Sequence, residues 1–539
     1  MHIELRELPG TPKLFRDYAG GDPRALALFA RDPFDTASIA AVAAEVGERD
    51  YYRKRLADIL VEQNEQWGAD EAALANCRRL ERDDCLAVVT GQQVGLLGGP
   101  LLVLFKALHA VRLAERCERE LGRPVVPIFW LELEDHDLDE VNRLTVMDRE
   151  HGLRKLSLDL GKGGRRPVKD ILLGPEIENL LAELENIWPR TGFSRDAFDL
   201  LCRCYAPDSS FADGFARLHA ALLSRFGLLL ADPSHPHLKR RAAPIFTKEI
   251  SQPSVARQRF IQHEEKILAA GYDKQVETPA GALHLFLEVD GLKYRLAADG
   301  ERFRLIGADE SFEKDELLEI AKREPRRLVP AVLLRPLVQD VLFPTIAYVA
   351  GPSEVCYFAQ AQPLYESFGV TMPVVIPRAG GTLLGGPARR AAEKYGLEPG
   401  EMLQPAEALL KHVLAEHLPP GAGELFASVK REVAEALARL KGELDTGEEG
   451  FARAAERAAK KIVYNLDKLE ERYVKALQRR NEVVVRRITQ LSNAVRPNGS
   501  LQERVFPIAQ FLNGYGEGIA DAVGGAIDPL RPRHDFIPI

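Results

Sequence analysis

Residues 86–131 constrain the fold more than any other stretch of the chain. An apolar run, Leu86-Ala87-Val88-Val89, closed by Thr90-Gly91, suits a short buried strand. After a glycine-rich loop, Leu101, Leu104, Phe105, Leu108 and Val111 keep the i, i+3, i+4, i+7, i+10 spacing of a helix with one core-facing stripe. Gly122 closes that helix, and Val125–Leu131, entered through Pro124, reads as a second buried strand. Strand, helix and strand in this order make one βαβ unit. Its strands are therefore expected to be parallel and its crossover right-handed. The fold class is α/β.

The remaining residues are assigned around that unit. Residues 1–80 read as mostly helical, with Arg53, Leu56, Ile59 and Leu60 at helical spacing. Strand and helix signals resume at 331–385, ending in Pro373-Val374-Val375-Ile376-Pro377, so 1–385 reads as one α/β core. Within it, 145–330 reads as an insertion with alternating apolar runs near Leu283–Val289 and Tyr294–Ile306 and a basic glycine loop, Gly161–Arg166. Residues 386–496 shift to long helical patterns. Phe426, Val429, Val433, Ala436 and Leu440 repeat at 3-4 spacing, and Ala458, Ile462, Leu466, Leu469, Tyr473 and Ala476 nearly do. An antiparallel coiled-coil hairpin or an ordinary bundle face fits this pattern. Residues 497–539 regain Gly, Pro and aromatics and are expected to return to the core.

With 539 residues, 46% of them hydrophobic, the chain can bury a large core. Its net charge of −8 argues against nucleic acid or an anionic membrane as a general partner. Cys85–Phe105 carries no charge over 21 residues, but Gln92, Gln93, four glycines and Pro100 make it a poor membrane span. The first residues form no apolar leader, which points to the cytoplasm. Six cysteines in so long a chain are no disulfide framework, and Cys202-x-Cys204 is too close-spaced for the usual zinc pairing, so no metal site is expected.

Four stretches carry chemistry. Thr90-Gly91-Gln92-Gln93 leads to Gly98-Gly99-Pro100 at a helix start, where outward backbone N–H groups could hold phosphate or carboxylate. It matches neither a P-loop nor a dinucleotide fingerprint. Glu132-Leu133-Glu134-Asp135-His136-Asp137-Leu138-Asp139-Glu140 follows a strand directly, where ligands bind in open α/β sheets. Clustered carboxylates need a cation, an ammonium group or shared protons, with Asp135, His136 and Asp137 the leading candidates. In Leu334-Arg335-Pro336-Leu337-Val338-Gln339-Asp340, Arg335 and Asp340 are expected to be buried and paired. Gly351-Pro352-Ser353-Glu354 can begin a further helix. Pro377-Arg378-Ala379-Gly380-Gly381-Thr382 places an arginine on a glycine loop that could clamp phosphates. The strand ends would converge on one crevice suited to activating a carboxylate beside an amine. A metal-dependent hydrolase, or a non-catalytic nucleotide-binding coiled-coil protein, fits parts of the same pattern.

Thr90-Gly-Gln-Gln-Val-Gly, Gly99-Pro100, Phe129-Trp130, Glu134-Asp135-His136-Asp137, Leu334-Arg335-Pro336, Gln339-Asp340, Gly351-Pro352-Ser353-Glu354 and Gln502-Glu503-Arg504 together resemble the bacillithiol biosynthesis cysteine-adding enzyme family, in order over essentially the whole chain. The resemblance implies a Rossmann-like, nucleotidylyltransferase-type core with connecting insertions and a coiled-coil domain that forms a homodimer. It implies addition of L-cysteine to glucosaminyl-malate, the last step of bacillithiol synthesis, with ATP or ADP and optionally a divalent cation. Gly98-Gly99-Pro100 stands where class I aminoacyl-tRNA synthetases carry HIGH, without its histidines. Pro377–Thr382 stands where they carry KMSKS, without lysine, so Arg378 or Arg335 would supply the missing cation. Thr90, Gln92 and Gly98–Pro100 would then hold the nucleotide or a carboxylate, Asp135 and Asp137 an amine, and His136 would take its proton. Gly91, Gln93, Trp130, Gln339, Asp340, Gly351, Pro352, Glu354 and Thr382 complete the expected binding set.

Overall fold

A computed structural model describes residues 1–160, 166–415, 422–443 and 449–539. The greater part of the basic glycine loop at 161–166 and the link between the two long helices lie outside the described residues. The chain forms two compact units, Met1–Leu383 with Ser500–Ile539, and Leu384–Gly499.

The first unit is built on a five-stranded sheet. Its elements are β1 (Leu86–Gln93), α1 (Leu102–Leu121), β2 (Val125–Glu132), β3 (Leu229–Ala231), α2 (Arg335–Leu342), β4 (Thr345–Ala350), α3 (Pro352–Phe368) and β5 (Val374–Pro377). All four pairings are parallel, and the order is β3-β2-β1-β4-β5. This is a Rossmann arrangement. The direction of strand addition reverses between β1 and β4, which opens a crevice at their carboxyl ends.

Both faces of the sheet are covered, which is why its strands read as apolar runs rather than as alternations. Ala87 and Val89 pack toward α3 and the helix Arg53–Gln66, while Leu86 and Val88 pack toward α1 and the helix Thr36–Gly47. Gly122 ends α1 in the left-handed region, with its N–H donating to Glu118 O. β1 runs on to Gln93 instead of stopping at Val89, because Thr90–Gln93 stay in parallel register with Phe129–Glu132.

Residues 145–330 are not wholly an insertion, since Leu229–Ala231 supplies the core sheet's edge strand beside β2. The rest adds helices and an antiparallel sheet of Ala282–Val289, Leu292–Asp299, Arg302–Ile306, Ser311–Glu313 and Leu328–Pro330. The last residues return to this unit. Strand His534–Pro538 pairs antiparallel with His2–Ile3 at the opposite end of the chain.

The second unit is helical. Ala422–Glu443 packs along Glu449–Arg480 through Phe426 and Tyr473, whose rings are 5.9 Å apart, and through Lys430, which is 2.6 Å from both Asp467 and Glu470. The seam differs from the heptad reading. Val433 and Leu437 are half-buried, while Ala436 and Leu440 are exposed, because an α-helix drifts off a strict seven-residue repeat. On the second helix Val463, Leu466 and Tyr473 face the seam, whereas Ala458, Ile462 and Leu469 are exposed. The expected helix over 451–493 is split at Asn481, with Glu482–Val495 continuing separately. No helix among the described residues is long and apolar enough to cross a membrane.

Candidate functional site

The crevice at the switch point is a cavity of about 440 Å³. β1 contributes Gly91, Gln92 and Gln93; β2 and the turn after it contribute Trp130, Glu132, Asp135 and His136. Gly351, Pro352 and Glu354 come from the start of α3, Arg335 from α2, and Arg378 from the residue after β5. Thus eleven of the nineteen expected site residues, together with Glu132, share one wall-to-wall space.

Eight do not line it. The sequence suggests an anion-binding helix start at Gly98, Gly99 and Pro100, but Gly98 N–H donates to the Tyr205 hydroxyl at 2.9 Å and Gly99 N–H to Leu96 O at 3.1 Å. Pro100 has no N–H, and a Cβ on Gly98 would meet Leu218, so the turn is sealed inside the core. Thr90 Oγ1 donates to Val349 O at 2.9 Å and ties β1 to β4. Asp137 caps the short helix Leu138–Val141. Thr382 Oγ1 lies 2.9 Å from His534 Nε2 in the core. Asp340 is not a direct partner of Arg335. Gln339 stands between them, accepting from Arg335 at 3.1 Å and donating to Asp340 at 3.0 Å, while Tyr365 donates to the other Asp340 oxygen at 2.5 Å. Burial pushes the Asp340 carboxyl up to about 6.

The acidic wall is organised by β1 and the turn after β2. Asp135 accepts from Gln93 Nε2 at 2.5 Å and from His136 N–H at 2.7 Å, with His136 Nδ1 3.5 Å away. Burial opposes its ionisation, but the His136 hydrogen bond, Lys293 and Gln93 hold it well below the usual carboxylate range. Glu132 accepts from Trp130 Nε1 at 3.1 Å, and burial pushes its carboxyl up even though Arg335 lies 3.8 Å away.

The basic wall contains groups that the sequence reading missed. Among the described residues, six lysine and arginine side chains line the cavity (Lys106, Lys293, Arg295, Arg335, Arg378 and Arg504), against Glu132, Asp135, Glu140 and Glu354. Arg335 donates to the Tyr357 hydroxyl at 3.0 Å and stands 5.6 Å from the Trp130 ring. Arg378 donates to Glu503 at 2.6 Å. These two arginines already have partners inside the protein. Arg295 instead donates only Nε, to Leu283 O at 2.9 Å, and the Arg504 side chain has no hydrogen-bond or ion-pair partner among the described residues. Lys293 donates to Glu134 O at 2.6 Å and sits 4.8 Å from the Phe286 ring.

Lys293 and Arg295 alternate on one face of strand Leu292–Asp299, a period-two signal visible in the sequence. Lys106 falls on the stripe Val103–Lys106–Ala110 of α1, and a charge on a buried helical face was its signal.

The fit to nucleotide phosphates is poor at both helix starts of the crevice. The Gly98–Pro100 turn is closed, and at α3 Glu354 Oε2 takes the Gly351 N–H at 2.6 Å. An anionic group entering the cavity would meet Arg295, Arg504 and Lys293 instead. Among the described residues no group of three His, Cys, Asp or Glu side chains is placed to hold a metal ion.

A parallel sheet in Rossmann order, with a polar cavity at its switch point, defines a Rossmann-like α/β protein, a class of fold whose ligands sit at the strand ends. Residues 1–379 match the family described as bacillithiol biosynthesis BshC, N-terminal Rossmann-like domain, and residues 381–539 its C-terminal coiled-coil domain. The chain belongs to this bacillithiol biosynthesis family. It is similar to "Putative cysteine ligase BshC" of Koribacter versatilis, at 33% identity covering 100% of this chain and 99% of the relative. The Salinibacter ruber protein of the same name is 31% identical over 99% and 97% of the two chains, and one from Bacillus cereus 29% over 89% of each.

Proposed function

We propose that the protein is a ligase that joins the carboxyl group of L-cysteine to the amine of glucosaminyl-malate, the closing step of bacillithiol synthesis. The relatives' name supplies the class of reaction. The observation that carries the reading is the division of the cavity: Asp135, held below the usual carboxylate range, on one wall, and Arg295 and Arg504, without carboxylate partners among the described residues, on the other. A substrate with one amine and two carboxylates matches that division. In this reading Asp135 receives the amine, His136 takes its proton, and the arginines hold the malyl carboxylates. Asp137 has no part in it.

Condensing a free carboxylate with an amine is uphill in water, so the cysteine carboxyl needs activation. ATP or ADP, with a divalent cation, is proposed as its source. The Gly98–Pro100 turn is not its phosphate site. The exposed Ile462 and Leu469 fit a homodimer formed through the helical unit. The cytoplasm is the proposed compartment, with no nucleic-acid or membrane partner.

The test is to incubate the purified chain with cysteine, glucosaminyl-malate and Mg²⁺, with and without ATP, and to detect the thiol product by mass. Pyrophosphate release would mean an adenylate, phosphate release an acyl-phosphate. Absence of product under all conditions, with normal bacillithiol and no accumulated glucosaminyl-malate in a deletion strain, overturns the proposal.

A further inference from the structure

Lys106 reaches the cavity from the buried stripe of α1, and all three of its ammonium protons have partners inside the protein. It donates to Gly91 O at 2.5 Å and to Gln92 Oε1 at 3.0 Å, and it forms an ion pair with Glu354 Oε2. Only 2% of its side chain is exposed, so it offers nothing to solvent. Its three partners belong to different segments. Gly91 and Gln92 are the end of β1, and Glu354 is in the first turn of α3, which follows β4. Lys106 therefore bridges the two strands that flank the switch point.

The bridge continues beyond Glu354. The other carboxylate oxygen of Glu354 accepts from the Tyr348 hydroxyl at 2.7 Å and the Tyr357 hydroxyl at 3.4 Å. The same two hydroxyls accept from Arg335 Nη2, at 3.4 and 3.0 Å. Lysine and arginine can only donate and an ionised carboxylate can only accept, so every proton direction in this chain of contacts is fixed. Burial pulls the Lys106 ammonium down to about 8, while its pairing with Glu354 acts the other way. A buried ion pair is a poor way to fill space, since apolar residues of the same volume are often as stable or more so.

We propose that Lys106 is a positioning residue. It holds the Gln92 side chain and Glu354 at one separation across the crevice and, through Glu354, Tyr348 and Tyr357, sets where the Arg335 guanidinium stands beside Trp130. Only the kinetic part of its test rests on the condensation reading above.

The test compares the parent with Lys106→Met and with the double variant Lys106→Met/Glu354→Gln, which removes both buried charges together so that neither is stranded. The emission of Trp130 is taken as the difference between each chain and the same chain carrying Trp130→Phe. The double variant should unfold near the parent temperature while its Trp130 emission shifts, because the hydroxyls that hold Arg335 Nη2 are displaced while Gln339 keeps its Nη1. Its kcat for cysteine addition should fall about a hundredfold, with KM moving much less, as expected for misplaced groups. A folded double variant with the parent's Trp130 emission and kcat overturns the proposal, since Lys106 would then only neutralise Glu354. If the parent adds no cysteine at all, the condensation reading fails, and the Trp130 emission alone decides the role of Lys106.

Discussion

Arg378 and Glu503 lie 125 residues apart in the chain, yet their side chains meet at 2.6 Å with 5% and 0% exposed. Glu503 also accepts from Gly381 N–H at 2.8 Å, so both its oxygens are used. The next residue, Arg504, reaches the cavity. One turn of the C-terminal segment therefore fixes one cavity arginine and supplies another.

Glu503→Ala should destabilise the first unit by about 3–5 kcal/mol, because Arg378 is left buried without its counter-ion. Urea unfolding of the full chain measures this. The pair also predicts an acid-side loss. Burial raises the Glu503 carboxyl pKa, but Arg378 and His534 more than offset that and hold it below its ordinary value. Its contribution is complete above the unfolded value of about 4.3 and is lost as pH falls through the lowered folded value. Glu503→Gln should remove that part of the pH dependence.

His109 predicts a second slope at milder pH. Its Nδ1 accepts from Ala379 N–H at 2.9 Å and its Nε2 lies 3.0 Å from Pro529 O, a neutral ring with one fixed tautomer. Burial pulls it down to about 4. The unfolded chain takes up the proton near pH 6.5, so stability falls by on the order of 3 kcal/mol as pH drops from about 6.5 to about 4. Comparing unfolding curves at pH 7 and pH 5 for the parent and His109→Gln checks this. The variant should show the shallower change.

Arg504→Gln should leave the unfolding temperature nearly unchanged, since its side chain has no hydrogen-bond or ion-pair partner among the described residues and lines the cavity. Under the proposed function it should raise the KM for glucosaminyl-malate about ten- to a hundredfold, with a smaller effect on the KM for cysteine. Equal rises for both substrates would count against a malyl carboxylate at this arginine.

Gly381→Ala should cost about 1–3 kcal/mol by overpacking. A Cβ there would stand 2.6 Å from the Phe105 ring and 2.8 Å from Asp535 O, and neither can yield without moving α1 or the C-terminal strand. Thermal unfolding is the measure.

Replacing Ile462 and Leu469 together by Glu should convert a dimer to a monomer in light scattering without unfolding the helices. Both side chains lie on one exposed helical face, 37% and 54% exposed. A parent that is already monomeric would remove the dimer from the proposal.

The βαβ unit was legible because burial on both faces leaves local signatures, continuous apolar strands and a 3.6-residue stripe. The strand-end residues Gln93, Asp135 and Gly351 were legible for the same reason, since a parallel sheet places its ligands there. The Gly98–Pro100 turn misled because its N–H is taken by Tyr205, 107 residues away, which no local pattern reveals. Asp340 misled similarly, since Gln339 and Tyr365 take the place expected of Arg335. Lys293 and Arg295 escaped notice because they sit outside the core sheet, on a strand of the stretch that the sequence assigns to an insertion. The helical seam was displaced because heptad and 3.6-residue spacings diverge over a helix of this length.

The pairing of His2 and Ile3 with Asp535 and His534 has a consequence for how the protein is made. Synthesis delivers His2 and Ile3 long before their strand partners, and Glu503 and Arg504 also arrive after the whole helical unit has been translated. The wall that holds Arg378 can close only after Glu503 has emerged. A chain stalled or cut short before that point would carry most of the Rossmann core and a site lacking both the counter-ion of Arg378 and the side chain of Arg504.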